Sequence, residues 1–321
     1  MCGNLDKLPI GENYPWLAPL SGYSDLAFRI LCRRLGCSVA YTEMVSAKGL
    51  IYRSLGCQKI IKTCDEDRPL IVQIFGSEPD VIEEALRLLK DQGFLFFDLN
   101  AGCPVKKVIK TGSGAALLKD TNKLFSILER MVKIGGEGKV GVKMRSGWFE
   151  REKVFLEVGT NAKDLGLGWV VLHPRAAVQK FSGKANWELL KELKEICSVP
   201  VIASGDLFTA EDAKRCLSMT KADGIMFARG ALNDPLIFEE FLKGKKSKSV
   251  AEVIKMHVEI IKKYMGEEYH VPKLRGIISR YLKNFPYASF WRKKVMELSS
   301  WSDVDRFLEE FSEKEVKPWS N

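Results

Sequence analysis

Eight short apolar runs rich in β-branched and aromatic residues recur along the first three quarters of the chain. They are Trp16 to Leu20, Val39 to Glu43, Leu70 to Ile74, Leu95 to Leu99, Val140 to Met144, Trp169 to Leu172, Val199 to Ala203 and Gly224 to Phe227. Each is followed by a stretch in which apolar residues return at helical spacing. Ser24 to Leu35 shows the type, with Leu26, Ile30 and Leu31 on one face, Ser24 as the expected N-cap and Gly36 as the stop. Another runs from Ser77 through Leu89 to Gly93, with Pro79 in its first turn, where a missing N–H costs little. Strands apolar on both faces that alternate with helices imply a parallel sheet covered on both sides. Eight β/α units in about 240 residues suit a (β/α)8 TIM barrel, whereas a doubly wound sheet normally uses about five or six strands. The pattern therefore predicts a barrel over residues 1–242.

After Phe241 the pattern changes. A lysine-rich stretch (Lys243, Lys245, Lys246, Lys248) leads into Val250 to Tyr264, Leu274 to Lys283 and Trp291 to Leu298, all with helical periodicity and without a strand run. Residues 243–321 are expected to form a small helical domain. Of the chain's formal charge of +9, residues 241–321 carry +6, from 17 Lys and Arg against 11 Asp and Glu. Such a surface permits a polyanionic partner and is equally compatible with simple solvation. The 46% apolar content can fill a substantial core. Met1 to Trp16 lacks the features of a signal peptide, and no stretch approaches the roughly 18 apolar residues of a membrane span, so a cytoplasmic location is expected. The eight cysteines are dispersed and form no paired CxxC units, which points to reduced thiols and to no metal site.

In a (β/α)8 barrel the reacting groups come from the C-terminal ends of the strands. Here those ends are Pro19, Glu43, Gln73, Asn100, Lys143, His173, Ser204 and Arg229, and all but Pro19 are polar or charged. Packing does not explain such a set, so these residues are expected to line one mouth. Ser204-Gly205-Asp206 and Ala228-Arg229-Gly230 each combine a small residue with exposed amides beside a helix start. Either alone reads as an ordinary βα turn; on adjacent strands together they suit a phosphate. Lys143, emerging in a barrel mouth, meets an anion or serves as a nucleophile with a lowered pKa, although a register slip of one residue would turn it to the surface. Cys103 stands just beyond a strand end and before Pro104, with Lys106 and Lys107 near enough to favour a thiolate or hold a phosphate backbone. Cys32, Cys37, Cys57, Cys64, Cys197 and Cys216 read as buried small hydrophobes. His173, one of three histidines, is either a mouth residue or a satisfied core histidine.

The order of several segments is more specific than any one of them. Ala18-Pro-Leu-Ser-Gly-Tyr-Ser-Asp25 with Phe28-Arg29, Thr42-Glu-Met-Val45, Gln73-Ile-Phe-Gly76, and Asp98-Leu-Asn-Ala-Gly-Cys-Pro104 with Gly112-Ser-Gly114 come first. Val142-Lys-Met-Arg-Ser-Gly-Trp148, His173-Pro-Arg175, Gln179 to Trp187 and Arg229-Gly-Ala231 follow. Over essentially its whole length the chain resembles the dihydrouridine synthase family. The resemblance implies an FMN enzyme that reduces the C5=C6 bond of uridines in tRNA, with NADPH recharging the flavin and no obligate protein partner. Position by position it implies that Pro19, Leu20, Ser21, Gln73, Lys143, His173, Ser204, Gly205, Asp206, Ala228 and Arg229 contact the flavin. Cys103 matches the family's catalytic cysteine, and Asn100 and Arg145 match residues around flavin and substrate. Lys106, Lys107, Arg175 and Arg275 are further candidate RNA contacts. In the mechanism this implies, hydride passes from flavin N5 to uridine C6, and Cys103, as a thiol, protonates C5. The target base would leave the RNA stack to reach it.

The chain departs from the family pattern in four places. It has Ser204 and Ala228 where Asn and Gly are usual, His173-Pro-Arg-Ala176 for His-Gly-Arg-Thr, and Arg275-Gly-Ile277 before Arg280-Tyr-Leu282 for Arg-Lys-His before Trp-Tyr-Leu. The last bears on the tRNA grip. Three other readings of the same residues stand beside this one: a barrel flavoenzyme for a small molecule of dihydropyrimidine or enoate type, a Schiff-base aldolase using Lys143, and a non-catalytic RNA-binding protein.

Overall fold

Eight parallel strands, β1 (Trp16–Leu17), β2 (Val39–Tyr41), β3 (Leu70–Phe75), β4 (Phe96–Ala101), β5 (Val140–Arg145), β6 (Trp169–His173), β7 (Val201–Ser204) and β8 (Gly224–Phe227), each pair with the next. β8 pairs with β1, which closes the barrel. The structure is a computed structural model describing residues 7–266, 269–283 and 285–316. A two-residue segment, Val45–Ser46, extends the sheet beside Ile74 and Phe75. The expected eight strands are all present, with shifts of a residue or more that have local causes. β1 stops early, because Ala18 N still bonds Phe227 O but Pro19 has no N–H to continue the ladder. β7 starts at Val201 rather than Val199, after a proline that contributes only its carbonyl, to Val170 N. β4, β5 and β6 run into Ala101, Arg145 and His173, one or two residues beyond the expected apolar ends.

Alternation along the strands divides the core in two. Val72, Leu99, Val142, Leu172 and Ala203 face the surrounding helices. Trp16, Val39, Tyr41, Ile71, Phe96, Trp169, Ile202 and Met226 fill the inside of the barrel, with Leu8 and Ile10 packed against them. Trp169 meets Trp16 edge-on at 6.0 Å and Phe96 at 6.5 Å. Room for its indole exists because β5 carries glycine at Gly141, where a Cβ would lie 2.1 Å from the ring.

The first outer helix, α1 (Leu26–Arg34), is capped by Asp25, whose carboxylate accepts from Phe28 N at 3.0 Å. Ser24, the expected cap, instead exchanges hydrogen bonds with the backbone of Leu20 and tightens the turn before it. Among the described residues four helices follow residue 249: α2 (Val250–Met265), α3 (Pro272–Tyr281), α4 (Ala288–Met296) and α5 (Trp301–Val316). α2 packs along α1, and Leu26, Phe28, Ile254 and Ile277 belong to one continuous apolar cluster. α5 was not expected, yet its start is written in the sequence. Ser300 N donates to the Asp303 carboxylate at 2.9 Å and Asp303 N to Ser300 Oγ at 3.2 Å, a reciprocal cap. Phe307 and Phe311 of α5 pack edge-on against Trp291 of α4, at 6.0 and 4.8 Å. Residues 1–6, 267, 268, 284 and 317–321 of the two expected domains lie outside the described residues. Among the described residues no helix is long and apolar enough to cross a membrane.

Gly141→Ala tests the barrel interior. An added methyl must displace the Trp169 ring, so the variant should lose about 1–3 kcal/mol of stability by overpacking, read as a lower urea midpoint with unchanged slope. An unaltered midpoint would show that the indole has slack.

Candidate functional site

A cavity of about 270 Å³ opens at the C-terminal ends of the strands. β1 leads into its wall through Pro19, Leu20 and Ser21, and β3 contributes Gln73. β4 supplies Asn100 and, just beyond it, Cys103. Lys143 and Arg145 enter from β5 and His173 from β6. The loops after β7 and β8 close the circle with Ser204, Gly205, Asp206, Ala228 and Arg229. The register puts Lys143 opposite Asn100 and Arg145 opposite His173, so the inward face of β5 carries two cations one above the other. Lys143 thus faces the cavity, and the surface-pointing alternative is excluded.

Beneath these residues runs a buried chain of directed hydrogen bonds. Trp169 Nε1 donates to the Tyr41 hydroxyl at 2.8 Å, which donates to Asp98 Oδ2 at 3.3 Å. Gln73 Nε2 donates to Asp98 Oδ1 at 2.7 Å, and Gln73 Oε1 accepts from Asn100 Nδ2 at 2.8 Å. Asn100 Oδ1 in turn accepts from the backbone N–H groups of Gly102 and Cys103, at 3.1 and 2.9 Å. Asp98 was not singled out from the sequence; the signal was a carboxylate inside the otherwise apolar run Phe96-Phe97-Asp98-Leu99.

Burial dominates the electrostatics. It pushes the Asp98 carboxyl up to about 7, against the pull of Gln73 and Lys143. It lowers Lys143 to about 8, offset in part by Asp98, and Arg145 to about 10. His173 is driven well below the usual imidazole range by burial and then by the surrounding cations, so it is neutral. Burial also raises the Cys103 thiol, outweighing the Val105 amide, Arg145 and Lys143. Half-buried Cys103 is therefore a thiol at neutral pH, not a thiolate. Among the described residues the Lys143 ammonium makes no protein hydrogen bond.

A second cluster ties the last three loops together. Asp206 accepts two hydrogen bonds from Arg175, at 2.9 and 2.6 Å, one from Arg229 at 2.9 Å and one from Ala185 N at 2.8 Å. Burial opposes the charge of Asp206, but these partners win and hold its carboxyl below the ordinary value. Arg175 also donates to the carbonyls of Ser182 and Gly183. This anchors residues 176–187 so that Phe181 lies over the mouth, 5.5 Å from the Arg145 guanidinium and 5.0 Å from that of Arg229. Sequence reasoning quoted this segment but gave Phe181 no role.

Several expected positions fall elsewhere. Arg175 does not line the cavity; buried with its charge on Asp206, it is a loop anchor. Lys106 and Lys107 are exposed on the short helix Lys106–Ile109, outside the cavity, and the cations that act on the Cys103 thiol are Arg145 and Lys143. Arg275 sits on α3, where Nε donates to the Leu298 carbonyl at 2.8 Å, so it joins helices and does not reach the mouth. Its neighbour Arg280 does approach the barrel, donating to the Tyr23 hydroxyl at 3.1 Å. Glu43 turns away to accept from Gly22 N, and Met44 takes its place in the wall.

The family model of dihydrouridine synthase matches residues 16–317. A probable tRNA-dihydrouridine synthase of Rickettsia bellii is 36% identical over 292 residues, covering 87% of this chain and 88% of its own. One of Treponema pallidum is 32% identical over 305 residues, covering 90% of each chain. Among solved structures, an old yellow enzyme homologue from Zymomonas mobilis superposes with a TM-score of 0.54 at 17% identity, over 78% of this chain and 95% of its own. Morphinone reductase gives 0.53 at 12% identity, over 75% and 88%. At these identities the likeness to the solved structures is one of fold.

Arg175→Ala removes two of the hydrogen bonds to Asp206 and both of those that hold the carbonyls of Ser182 and Gly183. Trypsin should then cut at Lys180 or Lys184 at least tenfold faster than in the wild-type protein. Because Asp206 is partly exposed and keeps Arg229 and Ala185 N, the loss should be that of charge-assisted hydrogen bonds, about 1.5–3 kcal/mol, and not that of an orphaned buried charge. Wild-type cleavage rates would show that the pair does not hold the loop.

Proposed function

The chain belongs to the dihydrouridine synthase family, and from that premise we propose that it reduces the C5=C6 bond of uridine in tRNA with FMN as cofactor and NADPH as reductant. The observation that carries this reading is a protonated Cys103 at the rim of a cavity whose wall bears Lys143, Arg145 and Arg229.

The residues fit an anionic, flat cofactor. Lys143 offers a cation without a protein hydrogen-bond partner, among the described residues, and Gln73 and Asn100 offer amide N–H groups. Gly205 has φ +106°, and a Cβ there would meet His173 at 2.7 Å, so the turn after β7 can be made only by glycine. Arg229–Asn233 starts directly after β8, and the amides of its first turn have no partner within the helix. Those amides with Gly205 and Arg229 suit the phosphate; Pro19, Leu20, Ser21, Ser204 and Ala228 supply the remaining wall. Asp206 holds Arg229 in place, and neutral His173 contributes hydrogen bonding without charge. When bound, FMN supplies the hydride that uridine C6 accepts and is recharged by NADPH.

The protein's own part is the proton and the charge. Cys103 Sγ delivers its proton to C5, and the thiolate that remains is stabilised by Arg145 and Lys143, the two cations that favour its charged form. Asn100 orients the turn that carries Cys103. The base would leave the RNA stack to reach this depth. Lys106 and Lys107, exposed on the short helix that follows Cys103, and the basic segment 243–316 suit the phosphate backbone, with Arg280 joined to the barrel through Tyr23. Family membership favours this reading over the Schiff-base, small-molecule and non-catalytic alternatives.

Two outcomes test it. The purified protein should show flavin absorbance and form dihydrouridine in tRNA, detected by mass; Cys103→Ala should keep the flavin and NADPH oxidation but reduce uridine about 10²- to 10⁴-fold more slowly. Wild-type turnover in that variant would remove Cys103 from the mechanism. FMN affinity, read by fluorescence quenching, should fall as pH rises through about 8, since Lys143 is a cation only below that value. Lys143→Arg should flatten the profile and Lys143→Ala should weaken binding at every pH; a wild-type profile level from pH 7 to 9 would exclude the role.

A further inference from the structure

Asp98 contributes nothing to the cavity surface, is fully buried, and has no part in the chemistry described above. Its place in the hydrogen-bond chain is nonetheless decisive. A primary amide has one donor end and one acceptor end, so a row of amides has a direction that something at its ends must set. At the outer end stand the N–H groups of Gly102 and Cys103, which can only donate; at the inner end stands the Asp98 carboxyl, which accepts from Gln73. With both ends in place, Gln73 and Asn100 can adopt a single orientation. If either amide turned over, N–H would face N–H, or oxygen would face oxygen, between side chains that are almost wholly buried.

We propose that Asp98 is a positioning residue for Cys103, acting through Gln73 and Asn100 to hold the Gly102–Cys103 turn in the one arrangement that sets the thiol over the cavity.

The strands make this coupling short. Gln73 and Asp98 are register partners on β3 and β4, so their side chains share one inward layer, and Asn100 lies two residues on along the same face of β4. Gln73 and Asp98 are wholly buried and Asn100 is 7% exposed, so water has little access to replace a missing partner. Two fixed groups support the carboxyl from the other side, Tyr41 and, behind it, Trp169. Beyond the turn, Ala115 N donates to the Cys103 carbonyl at 3.0 Å, so the amide and carbonyl of Cys103 are both held. The bonds within the chain use one hydrogen of Gln73 Nε2 and leave its second for the cavity, while Asn100 Nδ2 also reaches the Met44 sulfur in the cavity wall at 3.6 Å. The residue that positions the thiol therefore also fixes which end of Gln73 faces the cavity.

The inference rests on the reading of Cys103 as proton donor, but its test does not require turnover. Alkylation of Cys103 by iodoacetamide, followed by mass mapping of its peptide at fixed pH in the folded cofactor-free protein, reports the state of the turn. Asp98→Leu deletes the acceptor and should change the alkylation rate at least fivefold, with faster hydrogen exchange at the Gly102 and Cys103 amides. Asp98→Asn keeps an oxygen for Gln73 but removes the acceptor of the Tyr41 hydroxyl, so it should lose stability and yet stay within about twofold of wild type in alkylation, a separation that loss of stability alone would not produce. Where uridine reduction is measurable, Asp98→Leu should lower kcat with KM for tRNA unchanged. If Asp98→Leu does not fold, Gln73→Met cuts the same chain one link further out and must alter Cys103 alkylation equally. Unchanged alkylation and exchange in whichever of these two variants folds overturns the proposal. Absence of dihydrouridine formation by a wild-type protein whose alkylation responds as described overturns the functional reading and leaves the positioning role standing.

Discussion

Burial of the Trp169 indole is the constraint from which most of the site follows. The ring fills the barrel where Gly141 leaves space, against Trp16 and Phe96, and an indole N–H buried there needs an acceptor. Tyr41 supplies it, and its own hydroxyl proton then requires an acceptor in turn. The answer is Asp98, an acid in the middle of a barrel core. An unpaired polar group in that position costs about 1–3 kcal/mol, so each partner demands the next until Asn100 meets the backbone of the Cys103 turn. An apolar plug at one end of the barrel thus prescribes the arrangement of polar groups at the other.

The mouth above this chain collects Lys143, Arg145 and Arg229 around a single neutral imidazole, with Arg175 buried behind it. Asp206 is the acid that balances Arg175 and Arg229, and Asp98, its carboxyl raised by burial to about 7 and so only part ionised at pH 7, balances Lys143 only in part. Cationic surroundings normally favour a thiolate. Cys103 stays a thiol because burial outweighs its cations. Such a site is arranged to attract an anion and yet hold a proton ready, two properties that a more solvated mouth would not combine.

How far the sequence was legible follows from which signals are local. The eight strands could be read from apolar runs, and the mouth from the polar residues that end them, because a barrel sends every strand end to the same face. Depth was harder to read. Arg175 and Arg229 look alike in the sequence, but the turn of the loop after β6 buries one and leaves the other at the cavity. Asp98 was hidden because a carboxylate within an apolar run has no partner in its own neighbourhood; its partners come from β2 and β3. Ser24 and Asp25 are both capping types, and a single residue of register decided between them. α5 was missed although Ser300 and Asp303 form a cap, since its apolar face becomes meaningful only against Trp291.

The departures from the family pattern at the last loops are tolerated for a reason visible in the backbone. Gly205 and Asp206 take positive φ in succession, +106° and +54°, which carries the Asp206 carboxylate back across the loop toward Arg175 and Arg229. The contacts that join the loops after β6, β7 and β8 therefore depend on glycine at 205 and on the carboxylate at 206. Residue 204 precedes this turn and residue 228 precedes Arg229, and what the arrangement requires of them is inward placement and a peptide group. Ser204 and Ala228 satisfy both as small side chains. His173-Pro-Arg175 differs in kind, because Pro174 lies against the Gly205 turn, 3.2 Å from where a Cβ would stand, and its carbonyl accepts from Asn186 N at 2.9 Å. The proline is thus part of the anchor for residues 176–187, and its substitution would act on the segment that carries Phe181 before it acted on the cavity wall.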